Sequence, residues 1–481
     1  MLFNSYEFIF FFLPIAVYVY FFLAKRLGKR YAVVWMVVSS IFFYGWWDYR
    51  YVPLLLTSIF FNYAVGTQIH QSKHRKYWLA FGICSDLALL GYFKYTGFFL
   101  ETVNELLHQT VFISPHIILP LGISFFTFTQ IGYLVDSYRR QTENESFFTY
   151  CEFVTIFPHL IAGPIINHRD MIPQFTAAKN FVFDYKNASI GVVFFLCGLF
   201  KKVVIADEIS PWVGDVFARA DTLTCLEAWV GAIGYTLQLY FDFSGYSEMA
   251  IGLGLMFNIQ FPQNFNSPYQ SRSIIDFWRR WHMTLGLWVR EYLYIPLGGN
   301  RCGYSRTMLN LFISMLLIGL WHGAGWTFIF WGGLHGFFLI VNHSWKKMGG
   351  RFPTGINWTI TFLCVVVGWV FFRASNFHEA TAVLRAMTDL TNVVLPISYA
   401  QHVGWLQEVG VSFAVMQGNL PFGKAFGLIL VLLVITMKVP NVHQWAWNLK
   451  PTKKWMLAII TVFLYVLVSL NRQSEFLYFQ F

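Results

Sequence analysis

Long apolar stretches recur along the whole chain, and they limit what it can fold into more than any other feature. The first covers Glu7 to Ala24 and the last covers 455–470. About 20 apolar residues are needed for a helix to cross a bilayer, so stretches of this length predict a polytopic membrane protein. Of the 481 residues, 56% are hydrophobic and only 12% are charged, half the usual share of roughly a quarter. A soluble globular enzyme, a disordered chain and a coiled coil are thereby excluded.

The number and character of these stretches indicate an all-α fold in one membrane domain, residues 1–481. They lie at 7–24, 31–47, 51–66, 77–100, 117–135, 147–166, 188–206, 226–257, 307–330, 331–345, 356–373, 411–437 and 455–470. Several contain Pro, Gly or charge, and non-helical backbone is tolerated at membrane depth only where protein or water covers it. We expect about ten to twelve tilted transmembrane helices with additional re-entrant or interfacial pieces. The more polar stretch 374–410 is expected to be an external or interfacial excursion.

The basic residues predict how the chain is oriented. Lys and Arg exceed Asp and Glu by 34 − 24 = 10, and they occur in short clusters at 25–30, 70–76 and 136–141. The intervening loops are 48–50 and 101–116, and the latter carries Glu101 and Glu105. Cytoplasmic loops are enriched in Lys and Arg, so the N-terminus is expected outside. Clusters between apolar stretches do not form the basic stripe of a nucleic-acid-binding domain.

Ionisable residues concentrate between 240 and 345, and they are expensive at membrane depth unless they line a pathway or pair with each other. Asp242 lies in a long apolar stretch. It either pairs with a buried cation or hydroxyl and holds helices together, or it forms part of the wall of a reaction chamber. The following stretch Pro262–Tyr269 is too rich in Pro and Asn to be a spanning helix.

A helix is predicted to begin after Ser273, which with Asp276 resembles a capping box. Its arginines, Arg279 and Arg280, are either snorkelling residues of an interfacial amphipathic helix or ligands of an anionic donor such as the phosphates of coenzyme A. His282 lies three residues beyond Arg279 and is predicted to share its face of that helix.

His322 is the strongest candidate for a catalytic residue. It lies between Trp321 and Gly323 in an apolar stretch, and Gly319 permits close approach of another helix. A neutral imidazole is well suited to take a proton from a hydroxyl near pH 7. His335 is a weaker candidate, as a catalytic or a helix-packing residue. A metal held by these histidines is not expected, because their spacing fits no zinc pattern.

In this order, these elements resemble the membrane-bound O-acyltransferase family, in its bacterial polysaccharide branch. The resemblance covers essentially the whole chain. It is carried by His159–Ile165, Tyr240–Tyr246, Pro262–Tyr269, Asp276–His282, Glu291–Arg301, Gly319–Gly323 and Trp331–Gly336, together with the C-terminal Phe476–Phe481.

The resemblance implies a ring of tilted helices around a thinned centre that is crossed by a tunnel, with a catalytic core at about 150–345. His322 matches the catalytic histidine of the family, and His282 matches its second signature position. Arg279, Arg280, Asp242 and His335 are expected to contribute to substrate or donor binding. The implied activity is O-acetylation of a cell-surface polysaccharide, an alginate-type exopolysaccharide or peptidoglycan, from the bacterial inner membrane. Acetyl-CoA is the implied donor, as a substrate and not as a bound cofactor.

A periplasmic partner is also expected. The sequence contains neither a GxSxG elbow nor an SGNH-type esterase domain. The resemblance to the polysaccharide branch implies that a partner of the SGNH type completes the transfer to the polysaccharide. Three alternatives stay open: D-alanyl transfer to teichoic acid, a transporter, and a non-enzymatic scaffold of a polysaccharide export complex. A transporter would be expected to show repeated halves, which the sequence does not.

Overall fold

The computed structural model describes residues 1–115, 117–142, 145–450 and 452–470, and helices make up most of this part of the chain. The C-terminal Phe476–Phe481, which contributed to the family resemblance, lies outside the described residues. The first eleven helices are α1 Leu13–Arg26, α2 Lys29–Gly45, α3 Val52–Gln71, α4 Arg75–Leu90, α5 Thr96–Leu107, α6 Ile123–Tyr138, α7 Phe147–Thr155, α8 Phe157–Leu160, α9 His168–Thr176, α10 Tyr185–Phe200 and α11 Asp207–Ala218.

The second half is also helical, with one small exception. Its helices are α12 Cys225–Met256, α13 Ile274–Arg280, α14 Met283–Val289, α15 Tyr304–His322, α16 Trp326–Lys347, α17 Thr354–Arg373, α18 Phe377–Thr388, α19 Ala400–Val403, α20 Phe422–Lys438, α21 Val442–Trp445 and α22 Lys453–Ser469. Two strands, β1 Val394–Pro396 and β2 Ser412–Ala414, pair in parallel with Val394 opposite Ser412. They correct the all-α expectation locally. Strand β1 lies in the polar excursion, and β2 lies in the stretch predicted at 411–437, whose helix α20 begins only at Phe422.

Helix α12 forms the centre of the fold. Of its 32 residues, all but Leu226, Trp229 and Ile233 are buried. It begins with a complete capping box between Thr224 and Glu227, which satisfies two of the free N–H groups of its first turn. A helix enclosed by protein on every face can carry acidic side chains at membrane depth, since neighbouring helices rather than lipid surround them.

Glycines allow α10 to pack directly against α12. A Cβ on Gly198 would lie 2.3 Å from the carbonyl oxygen of Gly245, and one on Gly252 would lie 2.4 Å from the carbonyl oxygen of Gly191. The two contacts, Gly198 with Gly245 and Gly191 with Gly252, are seven residues apart on each helix, and the two helices run in opposite directions. The two backbones therefore touch over two turns, as small residues permit in membrane helices.

The described residues include five helical segments that are long and apolar enough to cross a membrane. These are Phe8–Arg26, Tyr49–Gln71, Tyr185–Ala218, Tyr304–His322 and Thr354–Arg373; the bent pair Phe422–Lys438 and Val442–Asn448 would be a sixth. Helices α2, α4 and α6 have only 17, 16 and 16 residues. The larger ring of about ten to twelve spans therefore stays a prediction.

The outer surface has the character of a lipid-facing surface. Large apolar side chains are exposed on helical segments from different parts of the sequence, among them Phe11 at 67%, Phe60 at 65%, Val434 at 60% and Leu464 at 56%. Soluble monomers rarely expose extended apolar patches. The protein is a multi-pass membrane protein.

Contacts between loops define two ends of the bundle. At the first, the basic end, Arg75 donates to the carbonyl oxygen of Ser137, Arg139 donates to that of Glu291, and Arg169 forms an ion pair with the Glu291 carboxylate. At the opposite end, Tyr6 donates to the carbonyl oxygen of Leu467 and Tyr51 to that of Ile118. Two of the three basic clusters predicted to be cytoplasmic, 70–76 and 136–141, thus lie at the same end.

Substitution of Gly198 by Ala tests the α10–α12 packing. The added methyl group would meet backbone, which cannot move aside, so we expect a loss of about 1–3 kcal/mol in stability and a lower Tm. Gly214→Ala, in the same continuous helical segment, is the matched control, because nothing lies within 4 Å of its added Cβ. Thermal unfolding in detergent, followed by tryptophan fluorescence, measures both. Equal Tm values for the two variants would contradict this packing.

Candidate active site

His322 is the last residue of α15, and it lies in the interior of the protein with 6% of its surface exposed. The apolar stretches predicted at 307–330 and 331–345 are in fact divided at 323–325, where Gly323 and Gly325 adopt extended backbone between α15 and α16. The predicted boundary between the two stretches was wrong by several residues, because the turn itself is apolar and lacks polar turn residues. Gly319 allows the hairpin to close: its added Cβ would lie 3.1 Å from the Cα of Gly332.

The carbonyl groups at the end of α15 are capped by another helix. Lys94 Nζ donates to the carbonyl oxygens of Trp321 and His322, the latter at 3.2 Å, and Tyr95 Oη donates to that of Leu320 at 2.9 Å. The last carbonyls of a helix lack partners within it and carry partial negative charge, so a cation is a favourable cap. Lys94 and Tyr95 thereby hold the position of His322.

A cavity of about 280 Å³ extends from the end opposite the basic end to His322. It is lined by Trp47, Lys94, residues 118–125, Ile161, Ala162, Trp321 and His322. Trp47 and Ile118 are exposed, whereas Ser124 and His322 are buried. The turn that supplies Ile161 is held by His159, whose Nδ1–H donates to the carbonyl oxygen of Pro164 at 2.9 Å. The volume is sufficient for a small acyl group together with part of an acceptor, since a water molecule occupies about 30 Å³.

His282 reaches the same region by a break in the chain. The expected single helix after Ser273 ends at Arg280, and His282 adopts left-handed backbone with φ 46° at the N-cap of α14. Its side chain is buried while Arg279 is exposed, so the prediction that the two share a helix face was wrong. Ser273 is the N-cap of α13, as expected, but Asp276 forms an ion pair with Arg280 and does not complete a capping box.

Asn264, in the irregular segment before α13, holds His282 in place. Its Oδ1 lies 3.1 Å from His282 Nδ1 and accepts from the hydroxyl of Thr284 at 2.9 Å. Its Nδ2 donates to Ser247 at 3.1 Å, and its carbonyl oxygen accepts from the backbone N–H of Met283. The predicted break at Pro262–Tyr269 is confirmed, and it supplies the partner of a candidate catalytic side chain.

The three candidate histidines form a line through an aromatic cluster. The ring centroids of His282 and His322 are 6.5 Å apart, and both rings contact Trp321. His335 is fully buried and separated from His322 by Trp331, which lies 5.3 Å from His322 and 5.1 Å from His335. His335 Nδ1 accepts from Trp278 at 3.3 Å. The cavity reaches His322, whereas neither His282 nor His335 is among the residues that line it.

The structure does not bring the two arginines to this cavity. Arg279 is exposed, and Arg280 binds Asp276 and the carbonyl oxygen of Asn266. Both arginines belong to α13, whereas His282 follows the break and is the N-cap of α14. Their expected contact with an anionic donor stays a prediction.

Asp242, on α12, lies in a buried ion cluster with Lys202, which follows α10, and Asp207, the first residue of α11. Lys202 Nζ is 2.8 Å from both Asp242 Oδ1 and Asp207 Oδ1, and all three side chains are 3% exposed or less. This geometry favours the interpretation in which Asp242 holds helices together. It does not line the cavity that reaches His322.

Sequence analysis overlooked Lys94 and Asn264. A single lysine within the apolar stretch 77–100 was the available signal for Lys94, because an isolated cation at membrane depth needs a specific partner. Asn264 had no such signal, since Asn is ordinary in an irregular segment. Within the described parts of the chain, no three His, Cys, Asp or Glu side chains lie close enough to share a metal ion.

Comparison with known proteins identifies the family of the chain. Residues 41–376 match the membrane-bound O-acyltransferase family. A peptidoglycan O-acetyltransferase of Helicobacter pylori is 42% identical over 100% of this chain and 98% of its own length. A probable alginate O-acetylase of Pseudomonas aeruginosa is 43% identical over 80% of this chain and 75% of its own. A teichoic acid D-alanyltransferase of Bacillus subtilis is 28% identical over 55% and 71%.

The chain therefore belongs to the membrane-bound O-acyltransferase family, and it is an acyltransferase. The matched residues 41–376 include both histidines and Lys94, Asn264 and Asp242.

Substitution of Lys94 by Met tests the helix cap. We expect acyl transfer at least about ten-fold slower, because the end of α15 loses its cation and His322 shifts. Tyr92→Phe, at an exposed position two residues earlier, is the control and should keep the wild-type rate and Tm. Turnover and Tm of both variants provide the test. A Lys94→Met enzyme with the wild-type rate would contradict this role.

Substitution of Asp242 by Asn decides whether Asp242 holds helices together or takes part in binding the acyl donor. Breaking a buried ion pair should destabilise the protein by about 3–5 kcal/mol, while the KM for the acyl donor stays unchanged. Thermal unfolding and donor titration of the purified variant measure the two effects. A raised KM with an unchanged Tm would instead place Asp242 at the donor.

Proposed function

We propose that this protein is the membrane subunit of an O-acetylation system, which takes acetyl groups from cytoplasmic acetyl-CoA and passes them across the bacterial inner membrane. The observation that carries the proposal is the cavity that leads from the end opposite the basic loops to His322. If the basic end is cytoplasmic, the cavity opens on the periplasmic side, where an acceptor would enter.

His322 is the proposed general base. It takes the proton of the acceptor hydroxyl as the oxygen attacks the thioester carbonyl, or it relays the acyl group to that hydroxyl. His282 orients the thioester or stabilises the developing oxyanion. The glycines and small residues beside His322, Gly122, Ser124 and Ala162, leave room for the acetyl group.

The acceptor is proposed to be reached through a periplasmic partner of the SGNH type, which completes the transfer to the polysaccharide. Names of the similar proteins support either peptidoglycan or an alginate-type exopolysaccharide as the final acceptor. The similarity to the H. pylori protein over nearly the full length of both chains gives peptidoglycan the greater weight.

D-alanyl transfer to teichoic acid is the second candidate. The similarity to teichoic acid D-alanyltransferases supports it, but it covers only about half of this chain. A transporter or scaffold role receives no support from membership of an acyltransferase family.

Transfer from acetyl-CoA tests the proposal. We expect the purified protein, with periplasmic extract as the source of the partner, to transfer radiolabelled acetyl groups to a macromolecular acceptor. His322→Ala should lower this rate by about 10²–10⁴-fold, the usual contribution of general acid–base catalysis. His402→Ala, at an exposed position in the excursion, is the matched control and should retain the wild-type rate.

Two outcomes would contradict the proposal. Equal rates for wild type and His322→Ala would remove His322 from the chemistry. Transfer of a D-alanyl group, with none from acetyl-CoA, would favour the second candidate.

A further inference from the structure

The hydrogen bonds around Asn264 determine which nitrogen of His282 carries the proton. The backbone N–H of Thr284 points at Asn264 Oδ1 from 3.4 Å, and a backbone N–H can only donate. The atom it faces must therefore be the amide oxygen. The hydroxyl of Thr284 agrees: its oxygen accepts from the backbone N–H of Ile165 at 3.0 Å, which leaves its proton free to point at the same Oδ1.

An amide oxygen cannot donate, so the contact between Asn264 Oδ1 and His282 Nδ1 requires the proton to be on Nδ1. In a neutral imidazole the other nitrogen, Nε2, then carries a lone pair. His282 Nε2 is buried and has no hydrogen-bond partner among the described residues. Such a nitrogen can accept a proton but cannot donate one to an oxyanion.

The ring of His282 lies among aromatic side chains and next to His322. Phe243 packs edge-on against the ring at 4.8 Å, and Phe265 and Trp321 lie at 6.5 and 6.3 Å. The titratable group in ring contact with it is His322, and Lys94 lies beyond that residue at the backbone carbonyls. A separation of 6.5 Å between ring centroids fits one oxygen atom between the rings, since O–H···N contacts are about 2.8 Å long.

We infer that Asn264 is a positioning residue that holds His282 as a proton acceptor, so that the two histidines form a relay for the proton of the acceptor hydroxyl. This inference rests on the proposed function and changes the part played by His282 within it. The left-handed backbone of His282 is the local cost of this geometry, and the contacts of Asn264 to Met283 and Thr284, the next two residues, hold it there.

The relay balances in atoms and charge. The hydroxyl O–H bond breaks and its proton passes to His322, while the oxygen forms a bond to the acetyl carbonyl carbon. The carbon–sulfur bond of the thioester breaks, with its electron pair going to sulfur. His282 Nε2 accepts the proton from His322 and delivers it to the departing thiolate, which leaves as a thiol. Both imidazoles return to their neutral forms.

Two substitutions of Asn264 separate positioning from packing. Asn264→Asp keeps an acceptor at Nδ1 and makes His282 more basic, so it should retain activity. Because a more basic His282 is protonated at higher pH, the acid-side fall of the pH–rate profile should move to higher pH. Asn264→Ala removes the acceptor and should lower kcat by about 10–100-fold, as for other residues that orient a histidine.

The control is a buried asparagine away from the site. Asn310 lies twelve residues before His322 on α15, about 18 Å along the helix, and it donates to two backbone carbonyls. Asn310→Asp should lower the Tm and leave the midpoint of the pH–rate profile unchanged. A shift in both Asp variants alike would point to general destabilisation and overturn the assignment.

A measurement on the resting protein does not depend on the acyl donor. Nitrogen-15 NMR of histidine-labelled protein, with His282→Asn to assign the signal, should show a pyrrole-type Nδ1 and a pyridine-type Nε2 in the wild type. Asn264→Ala should shift the signal toward a mixture of tautomers. The opposite tautomer in the wild type would overturn the inference even if acetyl transfer is observed. The expected tautomer without acetyl transfer would instead count against the proposed function alone.

Discussion

The site depends on helix ends that lie inside the protein. A helix that stops within the membrane leaves carbonyl groups without partners, and no water reaches them from the lipid. At the end of α15, Lys94 and Tyr95 supply the missing donors from a neighbouring helix. This cap allows the chain to stop at His322 and turn back through Gly323 and Gly325. The catalytic candidate therefore stands at the inner end of a cavity and not on the wall of a continuous helix.

The break between α13 and α14 is also held by side chains from elsewhere in the chain. Between α13 and α14 the chain adopts a conformation that is unfavourable for a residue with a Cβ, and Asn264 and Thr284 hold it by contacts to side chain and backbone. The breaks between α13 and α14 and between α15 and α16 thus place the ring centroids of two imidazoles 6.5 Å apart. Around them, α12 provides a fixed support, because close glycine contacts to α10 and the ion cluster of Lys202 leave it little freedom to move.

The catalytic roles of His282 and His322 stay predictions. Sequence patterns predicted the helical membrane architecture and the irregular segment at Pro262–Tyr269. These features follow from local composition, since apolar length and Pro content act over a few residues. Patterns failed where the outcome depends on contacts between distant segments. The position of the turn after His322 depends on packing against α16, and the burial of His282 depends on Asn264, eighteen positions earlier. The pairing of Asp242 with Lys202 was left open for the same reason, because periodicity does not reveal which helices are neighbours.

The central claim is that the cavity ending at His322 opens on the periplasmic side, and the accessibility of a cysteine tests it most directly. Ser124→Cys places a thiol on the cavity wall, while the native Cys302, exposed in the loop before α15, provides an internal reference. A membrane-impermeant thiol reagent is added to intact spheroplasts and, separately, to inverted vesicles. The account predicts that Ser124→Cys reacts from outside, with loss of acyl transfer, and that Cys302 reacts only in inverted vesicles. Modification of the Ser124→Cys thiol only from the cytoplasmic side would contradict the account.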